Sequence, residues 1–478
     1  MIERVSTGVE GLDFLVNGGF PRGSLILVAG NPGTGKTILS AQFLYRAIVE
    51  GEENCIYVSF AEDRRTFYQN MMNFNFDFEK LEEMGRFKFL DLTAVRERGV
   101  SFVLDLILNE INRMKAGRLV IDSFSAMAQA FEKPIDARIV IHLILSRIVR
   151  QLGCTTLMVV EIPTGRERIG LEIEEFIADG ILMLRAGEID GRLLRDVEIL
   201  KLRGTPLPER KAVFTLKGGF NVFPPFKARP IKERKRFKPV PDPPDMFSTG
   251  VPEMDEMLGG GLPKGSSVLL EIDGPVSTFQ YHLILNPIPW NFLVKGRGVI
   301  VIPSSGVDYN IVKRRAMEGG LTMEECNRLL RVCVARNSVK EEVFKLPFLV
   351  PLEGRDVRRD YDGYLRLVDS LMEETGQPVL RITGVDHLIS SYNSEDAIRV
   401  LNMDATRLRE KGNLGILILK PLHRELSKPL SSIVDVHIKI TREHGAILIY
   451  GVKPRTGLYV VDMDTSRGYP YPKIMPII

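Results

Sequence analysis

Apolar residues along this chain fall into two alternating rhythms. Short β-rich runs occur at Leu25–Ala29, Asn54–Phe60, Arg118–Asp122, Thr155–Glu161 and Gly180–Arg185. Between them lie stretches with helical spacing at Ile38–Val49, Phe102–Met114 and Ala137–Leu152. Strand-like runs alternating with helical ones predict βαβ units and a parallel sheet covered on both faces. In such sheets ligands sit at the carboxyl ends of the strands.

The pattern repeats. Ser6-Thr7-Gly8-Val9 returns as Ser248-Thr249-Gly250-Val251, an offset of 248 − 6 = 242. The offset holds without a gap for Asp13 and Asp255, Gly18-Gly19 and Gly260-Gly261, Pro21 and Pro263, Gly23-Ser24 and Gly265-Ser266, and Leu27 and Leu269. So many matches at one offset predict two copies of one α/β domain, over residues 1–225 and 246–478. Residues 226–245, rich in proline and basic side chains, lack the apolar content for a core and are expected to be the linker.

One feature is not repeated. Gly30-Asn31-Pro32-Gly33-Thr34-Gly35-Lys36-Thr37 has the full spacing of a phosphate-binding loop, between an apolar run and a helical pattern. Glycines let the backbone wrap a phosphate with its N–H groups, and the helix N-terminus adds positive potential. Lys36 can reach the β- and γ-phosphates, and the Thr37 hydroxyl can hold Mg²⁺. The second copy reads Glu271-Ile272-Asp273-Gly274-Pro275-Val276-Ser277-Thr278-Phe279, with Thr278 for Lys36 and Phe279 for Thr37. Two carboxylates there repel phosphate. Either the second copy binds no nucleotide, or its cleft takes another ligand.

Further residues fit nucleotide chemistry. Asp122 ends an apolar strand, where a carboxylate holds Mg²⁺ directly or through water. The equivalent run, Val379 to Gly384, puts Ile382 or Thr383 in its place. Glu62, at the end of Val58 to Asp63, is the candidate to orient or deprotonate an attacking water; the plain alternative is a solvated strand end. Lys201 and Arg203 share one face of a strand if its period is two. They form a solvated face, or a cation pair for a γ-phosphate acting in cis or from a neighbour.

Composition changes little. The chain has 478 residues, 44% apolar and 26% charged, with a net charge of +3. That length predicts two to three domains, and the near-balanced charge gives no electrostatic argument for nucleic acid or membrane. No uncharged apolar run approaches the ~20 residues of a membrane span. The start Met1-Ile2-Glu3-Arg4 is unlike a signal peptide. Four cysteines lack metal-site spacing, so buried thiols and a cytoplasmic location are expected. Residues 227–238 concentrate positive charge, which suits a polyanion or a solvated, self-extended linker. A single aromatic there, Phe237, is too few for a stacking platform, so nucleic acid is not the favoured partner.

These segments together resemble the KaiC/RadA/RecA group of phosphate-loop ATPases, and KaiC-like proteins in particular. The resemblance is carried by Ser6 to Asp13, Gly30 to Thr37, Val58 to Glu62, Val120 to Ser123, Glu174-Glu175-Phe176-Ile177-Ala178-Asp179 and Leu200 to Thr205. It implies two tandem RecA-like domains, each a mainly parallel sheet flanked by helices, with the second degenerate. It also implies ATP and Mg²⁺ as cofactors and a ring-shaped homo-oligomer, six subunits being the candidate number, with ATP between subunits. Lys201 and Arg203 then act on the nucleotide of the next subunit. The family carries two adjacent glutamates where this chain has Ala61 and Glu62, so either Glu62 substitutes or hydrolysis is slow. Lys453 and Arg455 keep the Lys-x-Arg spacing in the second copy, by chance or to serve a neighbouring site.

Three functions follow. The first is slow ATP hydrolysis that controls assembly or binding of a protein partner the sequence does not name. The second is a nucleotide-binding regulator with little turnover, resembling archaeal gas-vesicle regulators of the GvpD type. The third is a RadA-like DNA-dependent ATPase, against which the near-neutral charge argues.

Overall fold

The computed structural model describes residues 3–93, 100–129, 144–163 and 177–478. Contacts divide it into two compact units. One runs to Pro225 and includes His444–Ala446 and Pro476–Ile478; the other comprises Phe226–Glu443 and Ile447–Met475.

The first unit opens with a two-stranded pairing of β1 (Arg4–Val5) and β2 (Phe20–Pro21). Its main sheet holds β3 (Leu25–Gly30), β4 (Cys55–Ser59), β5 (Phe87–Asp91), β6 (Arg118–Asp122), β7 (Thr155–Glu161), β8 (Gly180–Ile189), β9 (Arg192–Leu202), β10 (Lys211–Thr215) and β11 (Asn221–Phe223). Their order is β11-β10-β9-β8-β3-β7-β6-β4-β5. From β8 to β5 the pairings are parallel; β8 to β11 form an antiparallel extension. All five expected strands are present. The edge strand β5 and the antiparallel strands β10 and β11 were not among them, and β9 was expected only around Lys201. The expected helices appear as Lys36–Gly51 and Val100–Met114. Of Ala137–Leu152, residues 137–143 lie outside the described residues, and Ile144–Gln151 forms a π-type helix.

The helices cover both faces because every parallel strand is apolar on both sides. In β3, Ile26 and Val28 join a core with Phe43 and Leu44 of the helix Lys36–Gly51. Leu25, Leu27 and Ala29 join the opposite core with Ile107 and Ile111 of Val100–Met114.

The second unit repeats this plan. A short pairing of β12 (Met246–Phe247) and β13 (Leu262–Pro263) precedes a ten-stranded sheet. Its strands are β14 (Ser267–Ile272), β15 (Val299–Ile302), β16 (Leu330–Ala335), β17 (Leu349–Leu352), β18 (Leu380–Gly384), β19 (Leu414–Leu419), β20 (Val436–Glu443), β21 (Ala446–Lys453), β22 (Tyr459–Asp464) and β23 (Tyr471–Pro476). The order is β17-β16-β15-β18-β19-β14-β20-β21-β22-β23.

The repeated Ser-Thr-Gly-Val motif has one physical basis. Asp13 accepts from Ser6 Oγ (2.6 Å) and Thr7 N (2.7 Å), and Asp255 accepts from Ser248 Oγ and Thr249 N (2.7 Å). Gly8 and Gly250 take φ of 73° and 82°, a left-handed turn that suits glycine.

Strand register fixes equivalences between the sheets. Leu25 and Leu119 both pair with Thr156, while Ser267 and Arg381 both pair with Gly415. Since Leu25 matches Ser267 at the 242 offset, Leu119 matches Arg381. Three residues on, Asp122 matches Gly384. This corrects the expectation that Ile382 or Thr383 stands in its place.

The segment expected to be a solvated linker belongs to the second unit. Phe237 is buried among Trp290 and Tyr469, and its N–H donates to Gly319 O at 2.9 Å. Two of its cations meet carboxylates of that unit: Arg229 with Asp462 (2.8 Å) and Arg236 with Glu325 (2.6 Å). The one aromatic of the run supplies the anchor that its charges cannot.

Candidate nucleotide-binding site

The loop after β3 takes its shape from its glycines. Gly33 and Gly35 adopt φ of 77° and 94°, and a Cβ on Gly35 would lie 2.9 Å from Leu216 Cδ2. Pro32 and Gly33 are exposed, and the helix starts at Lys36. Thr34 Oγ1 donates to Asn31 O at 2.8 Å, and Asn31 Nδ2 donates to Ile162 O at 3.0 Å. Lys36 Nζ lies over the loop, donating to Gly30 O (2.9 Å) and Asn31 O (2.8 Å). Burial pushes the Lys36 pKa down, while the Glu161 and Asp122 carboxylates oppose the fall. A cation held inside the loop by weak carbonyl acceptors suits an incoming polyanion.

Asp122 ties the loop helix to β6. It accepts from Thr37 Oγ1 at 2.8 Å and from Tyr57 OH at 2.6 Å. A hydroxyl and a buried carboxylate in contact, next to a cation-bearing loop, are the hard oxygen donors that Mg²⁺ takes beside a polyphosphate. The residues present therefore fit Mg²⁺ with a nucleotide.

Glu62 stands where β4 gives way to a helix. Asp63 caps that helix by accepting from Thr66 N, and Ser59 Oγ binds the Glu62 backbone at both N and O. Glu62 Oε1 accepts from Asn70 Nδ2 at 2.5 Å. Burial raises the Glu62 pKa; the Asn70 hydrogen bond opposes this, and the Asp122 and Asp63 charges add to it. A half-buried carboxylate with a raised pKa has the properties of a general base.

Lys201 and Arg203 lie elsewhere. Gly30 pairs with Leu184 in β8, whereas Gly180, which pairs with Ile26, is opposite Leu202. Lys201 is opposite Ile181, which pairs with Leu27, so it sits three rows from Gly30, and Arg203 sits about two rows further, roughly 10 and 16 Å along the strands at ~3.3 Å per residue. The expected alternation does not reach Arg203, because β9 ends at Leu202 and carries a register shift near Leu200. Arg203 occupies the following turn, where its N–H donates to Asp179 O (2.8 Å) and its guanidinium is 3.4 Å from Asp179 Oδ1. The backbone of Lys201 and Arg203 thus lies away from the loop of the same unit. Glu174, Glu175 and Phe176 lie outside the described residues.

Three residues near the loop escaped the sequence reading. Tyr57 looks like a core aromatic, and only its hydroxyl contact to Asp122 sets it apart. Glu161 ends β7 directly opposite Gly30. Arg195, on β9, donates to Gly33 O at 3.0 Å.

In the second unit the same place is closed by side chains. Ser277 and Gln280 form a reciprocal capping box at the start of the helix Thr278–Leu285, occupying the N–H groups that an anion would need. Glu271 accepts from Ser427 Oγ (2.6 Å) and bonds His437 Nε2 (3.0 Å). Arg424 pairs with Asp273. Lys453 ends β21 and donates to Val434 O at 2.6 Å.

A family model described as "ATPase: KaiC" matches residues 5–225. The UPF0273 protein MJ1359 of Methanocaldococcus jannaschii is 34% identical over 238 residues, 47% of this chain and 97% of that protein. The chain belongs to the KaiC-type ATPase family. The circadian clock oscillator protein KaiC of Thermostichus vulcanus is 32% identical over 280 residues, 56% of this chain; the match covers 52% of that KaiC, so the chain spans about half the length of such relatives. A solved KaiC-like protein, PH0186 from Pyrococcus horikoshii OT3, is 36% identical, covering 47% of this chain and all of its own, with a TM-score of 0.43. Among the described residues no helix is long and apolar enough to cross a membrane.

Proposed function

We propose that the first unit binds ATP with Mg²⁺ at Gly30–Thr37 and hydrolyses it slowly, and that the second unit binds none. The observation that carries this reading is the Thr37–Asp122 contact at 2.8 Å beneath the Lys36 loop. Lys36 exchanges Gly30 O and Asn31 O for phosphate oxygens. Thr37 and Asp122 hold Mg²⁺, with Tyr57 fixing the carboxylate. Bound Mg²⁺ neutralises charge on the phosphate oxygens. Glu62, steadied by Asn70, orients a water and accepts its proton.

Lys201 and Arg203 act on the nucleotide of a neighbouring chain in a ring-shaped homo-oligomer of six. Their distance from the loop of their own unit supports this. Assembly or partner binding then follows nucleotide occupancy, in the cytoplasm. The test is turnover of the purified full-length protein: Lys36→Ala abolishes it, and Glu62→Gln lowers it by about 10²–10⁴-fold. Turnover unchanged in Glu62→Gln defeats the catalytic assignment.

A second reading, a nucleotide-binding regulator with little turnover, is favoured by one observation. Ala61, at the place of the family's first glutamate, offers no base, and Glu62 is already engaged by Asn70. Tight ATP·Mg²⁺ binding without measurable turnover in the wild type selects it.

A further inference from the structure

The second unit contains a cavity where the first unit has a packed aromatic cluster. Register and caps define the exchange. Cys55 pairs with Arg118 and Val299 with Leu380, so β4 and β15 correspond at an offset of 244, and Tyr57 matches Val301. Cys55 pairs with Phe87 and Val299 with Leu330, so Phe87 matches Leu330. Asp63 and Asp308 cap equivalent helices, so Phe67 matches Val312, Asn70 matches Arg315 and Met71 matches Ala316.

In the first unit these rings pack closely. Tyr57 and Phe67 have centroids 4.5 Å apart, and Phe78 and Phe87 lie 4.6 Å apart. In the second unit Val301 and Leu330 on strands, and Val312 and Ala316 on a helix, replace larger side chains. Two replacements run the other way: His282 for Ser40 and Trp290 for Ile48, at the 242 offset. The net result is a partly enclosed space bounded by all six of these residues and by Arg315.

A core that merely lost volume leaves a wholly apolar void. His282 and Arg315, two of the residues that line this one, are polar. His282 Nδ1 and Arg315 Nε are buried and find no hydrogen-bond partner among the described residues. His282 is 6% exposed. The Arg315 fork is only partly used: Nη1 pairs with Glu318 at 2.6 Å. Its carbonyl accepts from Trp290 Nε1 at 2.8 Å, which fixes the helix against the cavity wall. Leaving a buried donor unpaired costs about 1–3 kcal/mol.

The surrounding charge chooses the missing partner. Burial first, then Arg315 and Lys420, push the His282 pKa down to about 3. At neutral pH the ring is uncharged, with the Arg315 and Lys420 cations near it. A carboxylate offers the acceptor lone pairs that the Arg315 Nε–H and the Nδ1–H tautomer of His282 lack. The aliphatic and indole walls take an apolar body.

We propose that this cavity is a binding site for a compact apolar monocarboxylate, aromatic or short-chain aliphatic. The site lies wholly in the second unit and is independent of ATP. The unit without a phosphate loop thereby has a ligand of its own.

The test uses the full-length protein with benzoate and hexanoate as probes, and toluene and benzyl alcohol as controls, by calorimetric titration and thermal unfolding. Both carboxylates are expected to bind saturably and raise the unfolding midpoint, benzoate more tightly than toluene or benzyl alcohol. Arg315→Met weakens benzoate at least ten-fold. Val312→Phe and Ala316→Met, which restore ring or thioether volume, abolish binding. ATP binding by the first unit reports that each variant is folded. Absence of saturable carboxylate binding overturns the proposal. So does equal binding of toluene, or benzoate binding that survives both filling variants in folded protein.

Discussion

The Thr37 hydroxyl meets the Asp122 carboxylate at 2.8 Å, joining the phosphate loop to the tip of β6. The loop carries a cation and the strand an anion, so the two halves of the proposed metal–phosphate site are already in contact. Asp122→Asn keeps the shape and removes the charge. It is expected to weaken Mg²⁺-dependent ATP binding by about 10–100-fold. Tyr57→Phe, which removes a donor to the same oxygen, is expected to have a smaller effect. Calorimetric titration of ATP with and without Mg²⁺ measures both.

Glu62 gives a pH signature. Its pKa lies above the ordinary 4.5, so the acid limb of turnover is expected above that value. The Asn70 hydrogen bond favours the charged form. Asn70→Ala therefore moves the acid limb to still higher pH, with the plateau less affected. A kcat/KM profile on the two proteins checks the direction; a limb moving down contradicts Glu62 as the base.

The placement of Lys201 and Arg203 predicts complementation. Lys36→Ala chains carry intact Lys201 and Arg203, and Arg203→Ala chains carry an intact loop. Each is expected to be inactive alone, and a mixture to recover turnover. Light scattering on a sizing column should show growth with ATP·Mg²⁺. A strict monomer, or no recovery on mixing, removes the action across chains.

Phe237 anchors the basic segment. Phe→Ala changes at buried sites cost about 3–5 kcal/mol. Phe237→Ala is expected to lower the midpoint of the second unit and expose residues 226–245 to protease, read by limited proteolysis and thermal unfolding.

Much of this was legible because the carriers are local. The loop, the strand ending in Asp122 and the Ser-Thr-Gly-Val turns each lie within a few residues. The failures involve distance. Whether Ile382, Thr383 or Gly384 replaces Asp122 depends on which rows pair across three strands, and only the register to Thr156 and Gly415 decides it. The β9 alternation was read to Arg203, one residue past the strand's end. Charge in residues 227–238 suggested a solvated linker, yet the single Phe237 outweighs it by finding a core far along the chain. Tyr57 was invisible because a buried tyrosine and a site tyrosine look alike until the hydroxyl's partner is known.

The central claim is one phosphate site for two related units. Equilibrium binding of ATP·Mg²⁺ to the full-length protein tests it most directly. One nucleotide per chain, abolished by Lys36→Ala, is the predicted result. Two per chain, or one that survives Lys36→Ala, contradicts it.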